Sequence, residues 1–248
     1  MKYSMASDVG RVRKNNEDYC KGEVIETKDG EIGIFAIADG MGGHKKGEVA
    51  SKLAVENIID FLKNNLIQHD NVKISYITDI LKQAYNDVNT IIYSKSMEDS
   101  EYKGMGTTLT TAVVYKNKIY IGNVGDSRCY ILEDNVINQI TKDHSLVEEL
   151  MEKNMITEEE ARKHPHRNVI TRALGTDKIV IVDIYENNIE NRSKVILTTD
   201  GLTNYVTNDQ MKEILDNDEN IESACENLIK VANDTAGRDN ISVIYITI

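Results

Sequence analysis

The order of hydrophobic and polar positions in the first part of the chain predicts one buried strand followed by two long helices. A nearly unbroken apolar run at residues 32–38 ends in Asp39-Gly40, which is typical of a buried strand entering a glycine-rich turn. Apolar residues then recur at helical spacing over residues 50–62 and 77–92. Each of these two segments is expected to form an amphipathic helix with one face on the core.

The remainder of the chain is richer in short β-type segments. Lys116-Asn117 separates two of them and predicts a tight turn of an antiparallel meander. A polar, helix-leaning stretch covers residues 143–166, and a further helical face covers residues 221–232. The predicted strands are residues 107–115, 118–124, 127–132, 179–185, 194–199 and 241–248.

These elements predict an α+β fold. The strands do not alternate regularly with helices, so we expect antiparallel sheets packed together with the helices outside. Pro165 is the sole proline, and neither a Ser/Gly-rich linker nor a repeat divides the chain. We therefore predict a single domain over residues 1–248.

Composition and charge narrow the functional classes. Hydrophobic residues make up 40% and charged residues 28% of the 248, as in ordinary globular proteins. A formal net charge of -12 disfavours nucleic acid and anionic membranes as partners. No apolar run approaches the roughly 20 residues of a membrane span, and the N-terminal residues lack a secretory signal. We expect a cytoplasmic protein without membrane insertion.

Four acidic positions stand out by their context, and three of them adjoin apolar, strand-like segments. Buried carboxylates that approach one another repel unless protons or cations neutralise them, so converging strand ends of this kind indicate bound metal. Each dipeptide taken alone is better explained as a turn, because Asp-Gly is a common turn sequence. The combination favours a site. The four positions are Glu17-Asp18, Asp39-Gly40, Asp200-Gly201 and Asp239-Asn240.

The residue types at these positions indicate which metals to expect. Carboxylate and carbonyl oxygens select hard cations such as Mg²⁺, Mn²⁺ or Ca²⁺. Gly40 has no side chain and is suited to present its backbone carbonyl to an ion, while the glycines that follow it allow a tight turn. Cys20, Cys129 and Cys225 are widely spaced without a CxxC pair, which argues against zinc and against a disulfide framework. A two-metal hydrolytic site fits this set.

Six short motifs follow one another in the chain, and the ordered set is highly specific although each motif is modest. With them the chain resembles the type 2C metal-dependent protein phosphatases, and more narrowly the small bacterial members that oppose Hanks-type serine/threonine kinases. The resemblance covers essentially the whole chain, and it implies a four-layer α/β/β/α sandwich of two antiparallel sheets flanked by helices. The motifs are Arg13-Lys14-Asn15-Asn16-Glu17-Asp18, Asp39-Gly40-Met41-Gly42-Gly43-His44, Gly106-Thr107-Thr108, Asn123-Val124-Gly125-Asp126-Ser127-Arg128, Asp200-Gly201 and Gly237-Arg238-Asp239-Asn240.

The resemblance implies a core site of two Mn²⁺ or Mg²⁺ ions. Asp39 would bridge both ions, and Asp200 and Asp239 would complete the ligands of the first. The backbone carbonyl of Gly40 would serve the second ion. A hydroxide held between the two cations would attack the phosphorus of phosphoserine or phosphothreonine in a protein.

The resemblance also implies roles around this core. Glu17 would act through bound waters, and Asp18 matches the acid beside it. Asp126, together with Asp200, matches a third and weaker metal position of bacterial members. Arg13 matches the arginine that binds the phosphate, a role that suits its planar fork of donors.

Two further features carry weaker expectations. Eukaryotic relatives have a histidine directly after the first Asp-Gly, proposed as the acid for the leaving group, whereas Met41 stands here and cannot donate a proton. The leaving-group acid is therefore unassigned, and we expect no catalytic role for the nearby His44. Residues 143–172 match the family's mobile flap, whose basic side chains are either a receptor for acidic substrates or a solvated face. These are Arg162, Lys163, His164, His166, Arg167 and Arg172.

The resemblance implies phosphorylated proteins and a cognate serine/threonine kinase as partners, and we expect a monomer. An inactive phosphoprotein-binding module on the same scaffold is one alternative, although such a module commonly lacks a metal aspartate or the phosphate arginine. A metal-dependent phosphatase acting on a small molecule is the other. A Ser/His nucleophile at His144 and Ser145 is not expected, because no nucleophile-elbow motif adjoins them.

Overall fold

Two antiparallel sheets with helices on their outer sides make up the computed structural model, which describes residues 1–42, 45–68, 71–72, 76–98, 100–217 and 220–248. The strands are β1 Lys2–Asp8, β2 Asp18–Thr27, β3 Gly30–Met41, β4 Ile67–Gln68, β5 Asn71–Val72, β6 Gly106–Thr107, β7 Leu109–Tyr115, β8 Lys118–Val124, β9 Arg128–Glu133, β10 Val136–Gln139, β11 Asp183–Asn188, β12 Lys194–Thr198 and β13 Ile241–Thr247. The helices are α1 Lys45–Leu66, α2 Ile77–Glu98, α3 Leu146–Glu152, α4 Glu158–Lys163, α5 Asp200–Thr203, α6 Asn208–Asn217 and α7 Ile221–Thr235, with a 3-10 helix at Ser100–Tyr102.

The sheet around β3 is buried on both faces. Its strands follow the order β11-β8-β7-β3-β2, and β6 pairs with the end of β3. Ile34 and Ala36 of β3 pack into the cluster formed with α1 and α2, whereas Phe35 and Ile37 pack into the cluster shared with the other sheet. Because both faces are covered, residues 32–38 form an apolar run instead of alternating with polar residues.

The second sheet, in the order β1-β13-β12-β9-β10, supplies the other two layers. Val243 of β13 packs with Leu228 of α7 and Met211 of α6, while Ile244 and Ile246 face the first sheet. Three apolar clusters thus separate helices, sheet, sheet and helices. The predicted α+β class and four-layer sandwich are confirmed, and the predicted helices correspond to α1, α2 and α7.

Two predicted strands differ from the observed ones. β11 begins at Asp183, where its pairing with β8 starts opposite Asn123, so the prediction of a strand from residue 179 was wrong. The strand-like stretch that suggested it includes Ile179 and Ile181, which are 80% and 69% exposed. The predicted strand 107–115 is divided at Thr108 into β6 and β7, although the Thr108 N–H still donates to the Asp39 carbonyl of β3 at 2.9 Å.

Among the helices in the described ranges, none combines the length and the apolar character needed to cross a membrane. The single-domain organisation over residues 1–248 stays a prediction.

Tyr85 of α2 joins the outer helix layer to the first sheet. Its hydroxyl donates to the Gly122 carbonyl of β8 at 2.7 Å and lies 3.1 Å from the Leu109 carbonyl of β7, and the side chain is fully buried. Gly122 leaves room for the ring, since a Cβ there would lie 2.6 Å from the Tyr85 ring. The hydroxyl therefore satisfies backbone groups that water does not reach.

We predict that Tyr85→Phe lowers the free energy of unfolding by about 1–2 kcal/mol, because a buried carbonyl loses its donor. Urea unfolding followed by circular dichroism measures this. Tyr76→Phe is the matched control, since Tyr76 is 60% exposed and its hydroxyl can bond to water. Equal, small effects of both substitutions would contradict the role given to the buried hydroxyl.

Candidate metal centre

Strand pairing in the first sheet sets two aspartates side by side. In the antiparallel pair of β2 and β3, Asp18 lies directly opposite Asp39. Side chains at such positions have Cβ atoms about 5 Å apart, and like charges there repel. Asp18 is buried and Asp39 partly buried, so the register itself creates an unfavourable pair of acids.

The second sheet adds two more acids at the same end of the sandwich. Asp200 follows β12 and Asp239 precedes β13, and these strands pair antiparallel. Thr199 links the two sheets, because its hydroxyl donates to Asp18 Oδ2 at 2.8 Å. Burial, and after it the charges of Asp18 and Asp200, raise the pKa of Asp39, so these carboxyl groups are close enough to repel one another. Acids from both sheets therefore meet between the strand ends.

Asp126 joins the cluster from the connection between the sheets. It lies between β8 of the first sheet and β9 of the second, and it is buried. The Thr108 hydroxyl lies 2.8 Å from Ser127 Oγ and accepts the Asp39 N–H, also at 2.8 Å. Thr108 thus ties the end of β3 to the segment that carries Asp126.

Gly40 and Gly47 allow the close approach of Glu17 to this region. A Cβ on Gly40 would lie 2.1 Å from the Gly47 carbonyl oxygen and 2.6 Å from that of Glu17. A Cβ on Gly47 would lie 2.0 Å from Glu17 Oε2. The Glu17 carboxylate therefore packs on the first turn of α1, beside Gly40, and only glycine fits at both positions.

Arg13 is the cation at the edge of the acidic cluster. Its Nη2 donates to Asp239 Oδ2 at 2.9 Å, and its side chain is 52% exposed. The guanidinium has further N–H donors beyond the one that this bond uses. The loop before β2 therefore brings a solvent-facing donor group to the acids.

Burial and mutual repulsion favour protonation within the cluster. Burial raises the pKa of Asp18 to about 7, and burial together with the charge of Asp239 raises the pKa of Asp200 to about 6. The pKa values of Asp39 and Asp126 are raised well above the ordinary range, again by burial first and by neighbouring carboxylates second. The protein alone does not supply enough positive charge for these acids.

The donor set fits hard divalent cations. Asp18 Oδ1 and Asp200 Oδ1 are buried oxygens without a hydrogen-bond partner. Within the described residues, no group of three or more His, Cys, Asp or Glu side chains forms a ready cage for an ion. Carboxylate oxygens, completed by backbone carbonyls and water, are the ligands that Mg²⁺ takes in proteins.

Comparisons with known proteins identify the family. The family model for protein phosphatase 2C matches residues 11–239. The serine/threonine phosphatase stp of Listeria welshimeri is 38% identical over 240 residues, which cover 97% of this chain and 93% of that protein. The chain belongs to the protein phosphatase 2C family. It is therefore an enzyme of the phosphatase class, as the sequence predicted.

Solved structures of the family have the same architecture as this 2C phosphatase. The serine/threonine phosphatase of S. agalactiae is 32% identical with a TM-score of 0.89, covering 100% of this chain and 99% of that one. The catalytic domain of the serine/threonine protein phosphatase PstP, in complex with 2 manganese ions, is 32% identical with a TM-score of 0.82, covering 98% of this chain and 96% of that one.

A cleft of about 890 Å³ leads from the acids of the phosphatase to its flap segment. Asp126 and Asp200 line its inner end, and Met151 of α3 and Arg167 line the flap side. Arg162, which also lines it, has a side chain 70% exposed. The cleft is therefore open to solvent along the flap.

Three of the six basic residues of the flap form ion pairs, two of them with acids of the flap itself. Arg162 and Lys163 form ion pairs with Glu158 and Glu159, one helical turn earlier. Arg172 Nη1 donates to Asp183 Oδ1 at 2.8 Å. This pairing favours a solvated face over an acidic-substrate receptor for these three residues.

His144 and Ser145 have structural partners instead of each other. The Gly125 N–H donates to His144 Nδ1 at 3.0 Å, and His144 Nε2 lies 3.1 Å from Asp183 Oδ2. The Ser145 hydroxyl caps α3 by accepting the Glu148 N–H. His44 lies outside the described residues.

Sequence reasoning missed the polar residues that hold the acids in place. Thr108 and Thr199 bond to Asp39 and Asp18, and Asn204 Nδ2 donates to Asp200 Oδ2 at 3.0 Å. Thr108 occurs within a family motif, and Thr199 directly precedes a metal-site candidate. That adjacency was the available signal for the two threonines, since each bonds to an acid far away in the chain.

We predict that metal-free protein loses stability as the pH rises from about 4 to about 7. The pKa values of Asp18 and Asp200 are about 7 and about 6 in the folded chain against a reference of 3.8, so the folded state binds more protons than the unfolded state. Stability from such groups is present below pH 4 and is lost as the pH passes the folded pKa.

Asp200→Asn isolates this effect from the remaining acids. With EDTA present, we expect the variant to exceed the wild type in unfolding free energy by about 1–3 kcal/mol at pH 7 and by little at pH 4. Asp29→Asn, at an exposed hairpin position, should show no such pH-dependent difference. A wild type that gains stability over Asp200→Asn between pH 4 and pH 7 would contradict the electrostatic account.

Proposed function

We propose that this 2C phosphatase hydrolyses phosphoserine and phosphothreonine in proteins with the help of bound Mn²⁺ or Mg²⁺. The observation that carries the proposal is the convergence of buried aspartates from both sheets, two of which have oxygens without partners. The relatives named serine/threonine phosphatases, and the PstP domain in complex with manganese, support it.

The core ligands that we propose follow the family motifs. Asp39 would serve two ions, Asp200 and Asp239 would complete the ligands of the first, and the Gly40 carbonyl would serve the second. The raised pKa of Asp39, caused by burial and then by the charges of Asp18 and Asp200, supports this assignment, because carboxyl groups that repel one another favour a proton or a cation between them.

Around the core, Glu17 acts through water and Asp18 lies beside it. Asp126, with Asp200, contributes to a third and weaker ion. The raised pKa of Asp126, caused by burial and then by the charge of Asp200, supports a cation near both groups. The bound ions supply Lewis-acid activation of water and neutralise charge on the phosphoryl group.

Arg13 binds the phosphoryl oxygens of the substrate. Its single described bond, to Asp239, leaves other donors of the planar fork for a phosphate. Because it stands at the solvent side of the acids, it orients an incoming phosphoryl group toward them. Arg13 also offsets charge that develops on those oxygens during the reaction.

Phosphorylated proteins are the substrate class that the open cleft fits best. Its flap wall includes Glu158 and Arg162, whose side chains are 74% and 70% exposed, so a chain segment has access. A small metabolite would be better served by an enclosed pocket. We further propose that the enzyme reverses the action of a serine/threonine kinase. Its cytoplasmic location and its monomeric state stay predictions.

We predict Mn²⁺-dependent release of phosphate from a phosphothreonine peptide by metal-stripped protein, and a loss of more than about a hundredfold in Asp239→Asn. Asp87→Asn, an exposed acid on α2 that does not line the cleft, is the matched control and should retain activity. Phosphopeptide binding without release under any metal would point to the inactive binding module. Release from small phosphate esters alone would point to a small-molecule enzyme.

We predict that Arg13→Ala raises KM for the phosphopeptide by at least about tenfold, because a charged hydrogen bond to the phosphate is lost. Arg13→Lys keeps the positive charge but loses the planar pair of N–H donors, so its KM should lie between those of the wild type and Arg13→Ala. Lys14→Ala removes the same charge one residue away on an exposed loop position. An equal rise in Lys14→Ala would assign the effect to net charge alone.

A further inference from the structure

Asn240 is a buried residue that forms hydrogen bonds with two of the acidic residues of the site. The residue is 5% exposed and stands between Asp239 and β13. Its Oδ1 accepts the Glu17 N–H at 2.8 Å, and its own N–H donates to Asp239 Oδ1 at 2.9 Å. One buried residue therefore touches both the acid that Arg13 engages and the backbone of Glu17.

The side-chain amide of Asn240 also holds both ends of the loop that carries Arg13. Its Nδ2 donates to the Val9 carbonyl at 3.0 Å and to the Asn15 carbonyl at 2.9 Å. Between these two anchors residues 11–15 are exposed, and they include Arg13. The loop is thus fixed at its two ends by a single amide.

The loop lies directly on the backbone of Asp239. A Cβ on Gly10, whose φ is +79°, would lie 2.2 Å from the Asp239 carbonyl oxygen. The Arg11 N–H donates to the Gly237 carbonyl at 2.7 Å, and so continues the contact along the segment before Asp239. The position of Arg13 relative to Asp239 therefore depends on how this loop is seated.

We propose that Asn240 is a positioning residue that sets Arg13 and Glu17 relative to Asp239. Only a side chain with one acceptor and two donors satisfies the Glu17 N–H and two carbonyls together, and among residues of this size only asparagine has them. Its effect on KM runs through Arg13, so this inference rests on the role proposed above for that arginine.

Two substitutions separate the contacts. Asn240→Asp keeps an acceptor for the Glu17 N–H and loses both donors to the loop, whereas Asn240→Ser is neutral and too short to reach the loop. We expect KM for the phosphopeptide to rise about tenfold in both variants. We expect kcat to fall less in Asn240→Asp than in Asn240→Ser, because the aspartate keeps the acceptor for the Glu17 N–H. Agreement between the charged and neutral variants excludes an effect of added charge near Asp239.

The coupling to Arg13 gives the decisive comparison. In an Arg13→Ala background, we expect Asn240→Ser to raise KM by less than about twofold, because the residue it positions is gone. Multiplication of the two single effects would overturn the proposal. Asn65→Asp on α1 is the matched control: it removes one amide bond to a carbonyl, at a site about 27 Å along the helix from Gly47.

Seating of the loop is measurable without activity. Trypsin cuts after Arg11, Arg13 and Lys14, and we expect cleavage there, identified by mass spectrometry, to be at least about tenfold faster in both Asn240 variants than in Asn65→Asp. In the unaltered protein, the Asn240 side-chain amide hydrogens should exchange with solvent more slowly than those of Asn65. Unchanged cleavage, or fast exchange at Asn240, would overturn the anchoring.

The outcomes distinguish this proposal from the proposed function. If Arg13→Ala leaves KM unchanged, the role of Arg13 fails, while the cleavage and exchange results still decide whether Asn240 seats the loop. If Arg13→Ala raises KM but the Asn240 variants, folded by circular dichroism, do not, the positioning role is wrong. Should either variant fold poorly, the exchange rate of the Asn240 side-chain amide in the unaltered protein decides whether Asn240 anchors the loop.

Discussion

Repulsion among buried carboxylates is the interaction on which the rest of this structure depends. Asp18 and Asp39 are paired across two strands, and Asp126 and Asp200 approach them from the connections and from the second sheet. Such a cluster is unfavourable in a low-dielectric interior unless protons or cations compensate it. The fold brings the acids together at a cost in stability, and cation binding of the kind proposed for this family would offset that cost.

The sandwich is what makes this convergence possible. Both sheets are stiffened by a shared apolar layer that includes Phe35, Leu197 and Ile244. Strand ends at one edge of the sandwich then project acids from both sheets into the same small volume. Threonines and asparagines at these ends bond to the acids and to the loops beside them, so the positions of the carboxylates are set before any ligand arrives.

The fold was predictable wherever one element has a simple apolar pattern. The run at 32–38 and the faces of α1, α2 and α7 follow directly from burial on both faces or on one. β1 and β2 were not predicted, because their polar and apolar residues follow no clean alternation and their pairing with β13 and β3 is set by distant parts of the chain. The strand predicted from 179 begins at Asp183 instead, because a run of β-type residues does not guarantee a partner strand along its whole length.

The acids of the site were predictable from the sequence, whereas the polar residues that hydrogen-bond to them were not. Asp39 and Asp200 end apolar runs, Asp18 and Asp239 stand out by their local context, and the ordered family motifs added Asp126. The bonds of Thr199 to Asp18 and of Asn240 to Glu17 span 181 and 223 residues of sequence, which no local pattern encodes. The hydrogen-bond partners of these polar residues follow only from the strand register and the packing of the two sheets.

The central claim, that divalent cations compensate the converging aspartates, is tested most directly by anomalous diffraction at the manganese edge from crystals grown with Mn²⁺. The account predicts two strong anomalous peaks beside Asp39, one of them also next to Asp200 and Asp239 and the other next to the Gly40 carbonyl. An acidic cluster without anomalous density in crystals that contain Mn²⁺ at saturating concentration would contradict it.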